Sequence, residues 1–278
     1  MNQRINKLLI VAGKEFKDGF RNRWIIAITL MYAIFSLGLA YFGSAASGTV
    51  GFASLETTIV SLASLAVILI PLIALMLAYN TFVGEYEQGT MLLLLTYPIS
   101  RTSLLLGKFF GQAAILLVSA VIGFGVSAGA IIIGTDVEAA IALPAFAWFI
   151  LSASLLGWIF IALAYVISLS VKEKSQAAGL ALVVWFFFVL VYDLGLLAIL
   201  VVENGAMSTS FLSSLLFFNP TDVFRLINYQ AINASEYSGV LQLAQGSGSN
   251  ILSLIGIMLA WIIAPLFISS IIFKKREV

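Results

Sequence analysis

The chain has 278 residues, of which 62% are apolar and only 10% charged. A soluble domain runs near half apolar and a quarter charged, so a soluble fold is excluded and lipid must solvate much of this surface. The absence of Cys and His removes disulfide frameworks, thiol catalysis and the usual soft metal ligands. The chain also lacks the Gly-x4-Gly-Lys-Ser/Thr pattern of a P-loop, so it does not hydrolyse nucleotides by that route. The net charge of +1 says little; the placement of the charges says more.

Residues 2–23 carry Arg4, Lys7, Lys14, Lys17, Arg21 and Arg23, with Ile5, Leu8, Leu9, Ala12, Phe16 and Phe20 at helical spacing. That pattern predicts a helix lying in the headgroup region, basic side outward. The competing reading is a signal-peptide n-region cleaved near Ser44-Ala45-Ala46-Ser47. Signal h-regions are shorter than the apolar run that follows, which disfavours it.

The first span is 24–42, with Trp24 and Tyr41 where interfacial aromatics belong. About 20 residues rising 1.5 Å each cross a hydrocarbon core of about 30 Å. The second span is 59–82 and contains Pro71, which removes one backbone donor and kinks the helix. The kink suits either a moving helix or ordinary membrane-helix variation. Gly84 ends this span.

An elbow at 83–103 follows. Ordinary helix hairpins turn in about two to eight residues. This one spends roughly 20, and Leu92 to Leu95 is too apolar for bare water. Glu85 and Glu87 stand near the start of a short helix, where the macrodipole favours acid. Gly84 and Gly89 permit sharp turns or close approach, Pro98 ends the helix, and Ser100 is placed to cap the next one.

The third span, 104–133, holds two small-xxx-small patterns, Gly107/Gly111 and Gly125/Gly129. Either a dimer seam or tight packing inside one subunit accounts for them. The fourth span is 144–171, with Pro144 in its first turn. Lys172-Glu173-Lys174-Ser175 makes a tight turn into the fifth span, 176–202, and the sixth is 251–273, closed by Lys274-Lys275-Arg276. Between these two, segment 203–250 is partly too apolar for a free loop. It predicts two short helices dipping into the outer leaflet, the second opened by Asn219-Pro220-Thr221-Asp222 and followed by Arg225. Gly246-Ser-Gly-Ser249 is a flexible link.

With both ends in the cytoplasm, 13 of the 14 Lys and Arg lie inside and only Arg225 lies outside. Such a positive-inside bias sets the orientation. Asp193, beside Tyr192, is the one acid deep in a span. It reads equally as glue between helices or as a group in substrate passage or gating, with Pro71 a second candidate for gating. Arg225 pairs most simply with Asp222 three residues before it.

Gly84-Glu-Tyr-Glu-Gln-Gly-Thr90, then Leu94-Leu-Thr-Tyr-Pro-Ile-Ser-Arg101, then Leu106-Gly-Lys108, resemble the coupling-helix signature of the ABC-2 type permeases, the membrane subunits of ABC exporters. Lys14-Glu15, Asp18-Gly-Phe-Arg-Asn-Arg-Trp24, Ser61-Leu-Ala-Ser-Leu-Ala66 and Pro71-Leu-Ile-Ala-Leu75 are similar to the family branch that serves copper-site maturation of nitrous oxide reductase in denitrifying bacteria. The resemblance covers the whole chain. It implies an all-α, six-span type V exporter-like permease with an N-terminal interfacial helix and both ends in the cytoplasm of a bacterial inner membrane. It implies a homodimer, two copies of a cytoplasmic ATPase that carry ATP and Mg, and a periplasmic β-helical partner. No cofactor is implied on this chain.

The residues implied for ATPase coupling are Gly84, Glu85, Tyr86, Glu87, Gln88, Gly89, Thr90, Met91, Pro98 and Arg101, with Lys172, Glu173 and Lys174 as a smaller contact. Asn219, Pro220, Asp222 and Arg225 are expected to meet the periplasmic partner. With no His or Cys, and Met207 the only Met of the outer segment, copper is not expected to pass along the chain. Rival readings are a generic ABC-2 exporter of lipid, polysaccharide or drug, and a self-sufficient ion-coupled transporter centred on Asp193.

Overall fold

A computed structural model describes residues 2–43, 51–203, 209–232, 241 and 250–276. Its described elements are all helical. They are α1 (Asn2–Arg21), α2 (Trp24–Phe42), α3 (Leu55–Ala78), α4 (Val83–Glu87), α5 (Thr90–Thr96), α6 (Arg101–Gly134), α7 (Ala139–Ser170), α8 (Lys174–Phe186), a π-turn at Phe187–Val191, α9 (Tyr192–Glu203), α10 (Thr209–Leu216), α11 (Pro220–Ala231) and α12 (Ile251–Lys275). Six helical stretches among the described residues are long and apolar enough to cross a membrane. Helices satisfy every backbone group within the segment, as lipid demands. The proposed cleavage site at 44–47, Met207 and the Gly246–Ser249 link lie outside the described residues.

Several ends differ from the sequence reading. The second span begins at Leu55, where the Ser54 hydroxyl accepts from Thr57 N at 3.2 Å. Gly84 does not end that span; it lies inside α4. The third span begins at Arg101, capped by Ser100, whose Oγ accepts from Ser103 N at 3.1 Å. Pro144 is interior to α7 rather than in its first turn, because Ala139 to Leu143 is itself helix-forming and extends the helix backward.

α7 forms the middle of the bundle. Phe149, Leu156, Phe160, Ala162, Ala164 and Tyr165 on it have no exposed surface. Its small residues let neighbours approach: a Cβ on Gly157 would stand 2.8 Å from a Leu116 methyl of α6. Two of its serines return their hydroxyls to the helix, Ser152 to Phe149 O and Ser154 to Ile150 O, so neither is stranded.

α1 and α2 run one after the other along α6, in the same direction. A Cβ on Gly107 would lie 2.7 Å from Val11 Cβ, and one on Gly111 would lie 2.5 Å from Glu15 Cβ. Higher on α6, Ser119 Oγ donates to Ile25 O at 3.3 Å and Ser127 Oγ to Ser36 O at 3.1 Å. Gly107 and Gly111 therefore seat α1 within the subunit and are not a dimer seam. Gly125 and Gly129 face open space.

Pro71 of α3 withholds a donor from the preceding turn. Trp185 Nε1 of α8 donates to the nearby Ile68 O at 3.0 Å, so the fifth span docks on that turn. Much of that span is otherwise bare: Leu182, Val183, Phe186, Leu194 and Val201 are exposed.

Candidate functional site

The elbow divides into two helices. Gly89 has φ 68°, the left-handed region open to glycine, and the chain turns there between α4 and α5. α5 is rich in Leu and ends at Tyr97, where the backbone turns extended before Pro98.

Three anchors hold this element to the bundle. At its start, Phe82 N and Val83 N both donate to Ser168 Oγ of α7, at 3.1 and 3.0 Å. In its middle, Glu85 Oε1 accepts from Lys108 Nζ of α6 at 2.8 Å, and the same ammonium donates to Glu15 Oε1 of α1 at 2.9 Å. The Lys108 side chain is only 5% exposed, so this is a buried triad with one base between two acids. At its outer turn, Glu87 Oε1 accepts from Lys174 N at 2.6 Å, at the N-terminus of α8. A carboxylate there satisfies an orphan donor and meets the positive end of the helix dipole. The elbow and the Lys172–Ser175 turn, separate in sequence, thus form one surface.

Two arginines close helix C-termini beside it. Arg101 NH1 donates to the carbonyls of Phe273, Lys274 and Arg276 at the end of α12. Arg276 donates to Leu169 O at 2.6 Å and Val171 O at 2.8 Å at the end of α7. Its guanidinium also lies 4.1 Å from the Tyr86 ring centroid, a cation–π distance. Lys7 Nζ donates to Pro98 O. Both described ends of the chain therefore gather at the elbow.

This geometry corrects part of the expected coupling surface. Glu85, Met91 and Arg101 point into the subunit: Glu85 binds Lys108, Met91 is wholly buried, and Arg101 caps α12. Tyr86 packs on Arg276, and Thr90 Oγ1 donates back to Glu85 O at 3.3 Å. Glu87, Gln88, Gly89, Pro98, Lys172, Glu173 and Lys174 remain exposed, with Leu92, Leu93 and Tyr97 beside them at 58, 65 and 63%. Sequence reasoning assigned no anchoring role to Lys108, Glu15, Ser168 or Arg276. The available signal was Lys108 itself, a base well inside a helix that is apolar on both sides of it.

Behind the elbow a polar chain enters the bundle. Tyr165 OH donates to Gln112 Oε1 at 3.1 Å, and Gln112 Nε2 donates to Thr81 Oγ1 at 2.8 Å.

A second polar cluster joins the fifth span to α11. Arg225 NH1 donates to Asp193 Oδ2 at 2.8 Å and to Asp222 Oδ1 at 3.2 Å. Asn219 Nδ2 reaches Asp222 Oδ2 at 3.0 Å and Phe188 O at 3.1 Å. Phe188 lies in the π-turn, whose wider winding leaves carbonyls to be met from outside. Tyr192 OH donates to Leu215 O at 2.7 Å. Asp193 is thus an ion-paired tie between helices. Asn219, Pro220 and Asp222, expected to meet a periplasmic partner, are buried within the subunit. They are buried because Asn219 opens α11, its Oδ1 accepting from Thr221 N at 3.1 Å, and α11 packs inward against α3, α7 and α12. No group of three or more acids placed to hold a metal occurs among the described residues.

Residues 9–278 match the family described as ABC-2 family transporter protein. A Pseudomonas aeruginosa protein named "Probable ABC transporter permease protein NosY" is 50% identical over 269 residues, 96% of this chain and 98% of that protein. A Stutzerimonas stutzeri protein of the same name is 49% identical over 274 residues, 98% and 99% of the two chains.

Proposed function

The chain belongs to the ABC-2 family of transporter proteins and is a multi-pass permease subunit, and from that premise we propose that it couples ATP hydrolysis by a separate ATPase to work across a bacterial inner membrane. In this reading the elbow end is cytoplasmic, in keeping with the 13 of 14 bases on that side. Glu87, Gln88, Leu92, Leu93 and the Lys172–Lys174 turn form the docking face. Two copies of the permease bind two copies of the ATPase, which carries the ATP and Mg.

One observation carries the reading. The elbow is bonded to α6 and α7 on its inner side, to α8 at its outer turn and to α1 through Pro98, while Leu92 and Leu93 stay 58 and 65% exposed. A rigidly held element with bare leucines in water is suited to receive force from a groove that covers them. Co-expression with the ATPase tests it. Leu92→Asp with Leu93→Asp is expected to abolish co-purification of the ATPase while the permease still inserts. Undiminished recovery of the ATPase overturns the docking face.

The NosY-named relatives support a place in nitrous oxide reductase maturation, with a NosD-like β-helical protein on the periplasmic side. With neither Cys nor His in the chain, a soft metal ion lacks its usual ligands here. The work is then export of a non-metal species or movement of the periplasmic partner. Recovery of both an ATPase and a β-helical protein with the tagged permease is the expected result; recovery of the ATPase alone removes the maturation role.

A further inference from the structure

A cavity of about 250 Å³ opens between α1, α2, α3 and α6, lined by Glu15, Asp18, Asn22, Trp24, Asn80 and Gln112 among others. Its charged groups leave it net negative. Lys108 on its wall is already held between Glu15 and Glu85, so that triad carries one excess negative charge. Gln112 is engaged on both sides, its Nε2 by Thr81 and its Oε1 by Tyr165. Asn80 Oδ1 is a buried acceptor with no donor. The inner wall thus offers acceptors and negative charge, which calls for a cation with several N–H donors.

The cavity also has a definite depth. α6 has 34 residues, about 51 Å at 1.5 Å per residue, against a hydrocarbon core of about 30 Å. The excess of about 20 Å is enough for the first turns of α6, with Lys108, to project beyond the hydrocarbon. Trp24, an aromatic of the kind found at that level, lines the same cavity. Asn22 and Trp24 of the α1–α2 turn line the cavity, and the arginines on either side of Asn22, Arg21 and Arg23, are exposed beside it, the latter in the left-handed region at φ 58°. Asp18 on the rim is engaged by Lys14 and Arg21 at 3.2 and 3.3 Å.

We propose that this cavity binds the primary ammonium headgroup of a phospholipid, the ammonium directed to Asn80 Oδ1 and the Glu15 carboxylate, and the phosphate to the turn bearing Arg21 and Arg23. A quaternary headgroup of the same charge has no N–H to donate and is the discriminating comparison. The site is independent of the ATPase docking face and does not require it.

Native mass spectrometry of the delipidated, detergent-purified protein tests this, titrated with phosphatidylethanolamine and phosphatidylcholine of matched chains. The primary amine lipid is expected to bind at least tenfold more tightly. Asn80→Leu is expected to remove that preference with helix content unchanged by circular dichroism. Asn80→Asp, which adds charge to the wall, is expected to increase it and serves if the leucine variant does not fold. Equal binding of the two lipids by the native protein overturns the proposal, as does a preference that survives Asn80→Leu or fails to grow in Asn80→Asp. O-Phosphoethanolamine displacing the lipid at equal concentration overturns the lipid as the source and leaves a soluble amine site.

Discussion

Glu85 on the elbow and Lys108 on α6 meet at 2.8 Å, and Lys108 is in turn held by Glu15 of α1 at 2.9 Å. One ammonium therefore ties three elements together at the end of the bundle where both described chain ends gather. Any displacement of the elbow acts on α6 and α1 through this atom.

Removing that base should be severe. Lys108→Met leaves two buried carboxylates with no counter-charge, and breaking a buried pair in this way costs about 3–5 kcal/mol. The triple variant Glu15→Gln, Glu85→Gln, Lys108→Met removes the charges together and should recover much of the loss. Thermal unfolding in mild detergent checks the order: the single variant melts lowest and the triple lies between it and the native protein.

Glu87 should behave differently, because it is exposed and its bond is to a helix N-terminus. Glu87→Gln keeps an acceptor for Lys174 N and is expected to lower stability by less than about 1 kcal/mol. Glu87→Lys sets a base against the N-terminus of α8 and among Lys172 and Lys174. It is expected to reduce ATPase-stimulated function strongly while the protein still inserts, as measured by ATP turnover in the reconstituted complex.

The Asp193–Arg225–Asp222 cluster holds two acids and one base, so its substitutions should not be equivalent. Asp193→Asn leaves the Arg225–Asp222 pair and costs about 1.5–3 kcal/mol for a lost charged bond. Arg225→Met leaves Asp193 and the buried Asp222, whose carboxyl burial already pushes up to about 8, without their counter-charge and costs about 3–5 kcal/mol. Yield of folded protein from membranes and melting temperature both report this order; equal losses would place little weight on the ion pairs.

The two glycine pairs of α6 separate in the same way. Gly107→Ala and Gly111→Ala push against Val11 and Glu15 and should loosen α1, read as faster proteolysis of residues 2–21. Gly125→Ala and Gly129→Ala meet nothing within 4 Å and should leave the monomer unchanged or add up to about 1 kcal/mol each through helix propensity. Loss of an oligomer in the second pair alone, by light scattering, would assign that face to a partner copy.

The features legible in the residue order are those that local physics controls. A hydrocarbon core sets the length of each apolar run, so six spans were legible from composition and spacing. The helix-start chemistry of Ser100 and of Asn219-Pro220, and the unusual length of the elbow with its bare leucines, were legible for the same reason. Which way each side chain faces depends instead on packing between elements far apart in the chain. α7 is apolar on every side, so periodicity does not tell its buried face from its exposed one. Arg101 finds carbonyls at the far end of the chain, and Asp193 finds Arg225 through the inward packing of α11. Glu85 stands on the same short helix as Glu87, yet one is turned into a buried triad and the other onto α8. In a chain where apolar residues cover both lipid-facing and core-facing sides, helix rotation is set by contacts between distant elements, and those contacts assign the few charges their roles.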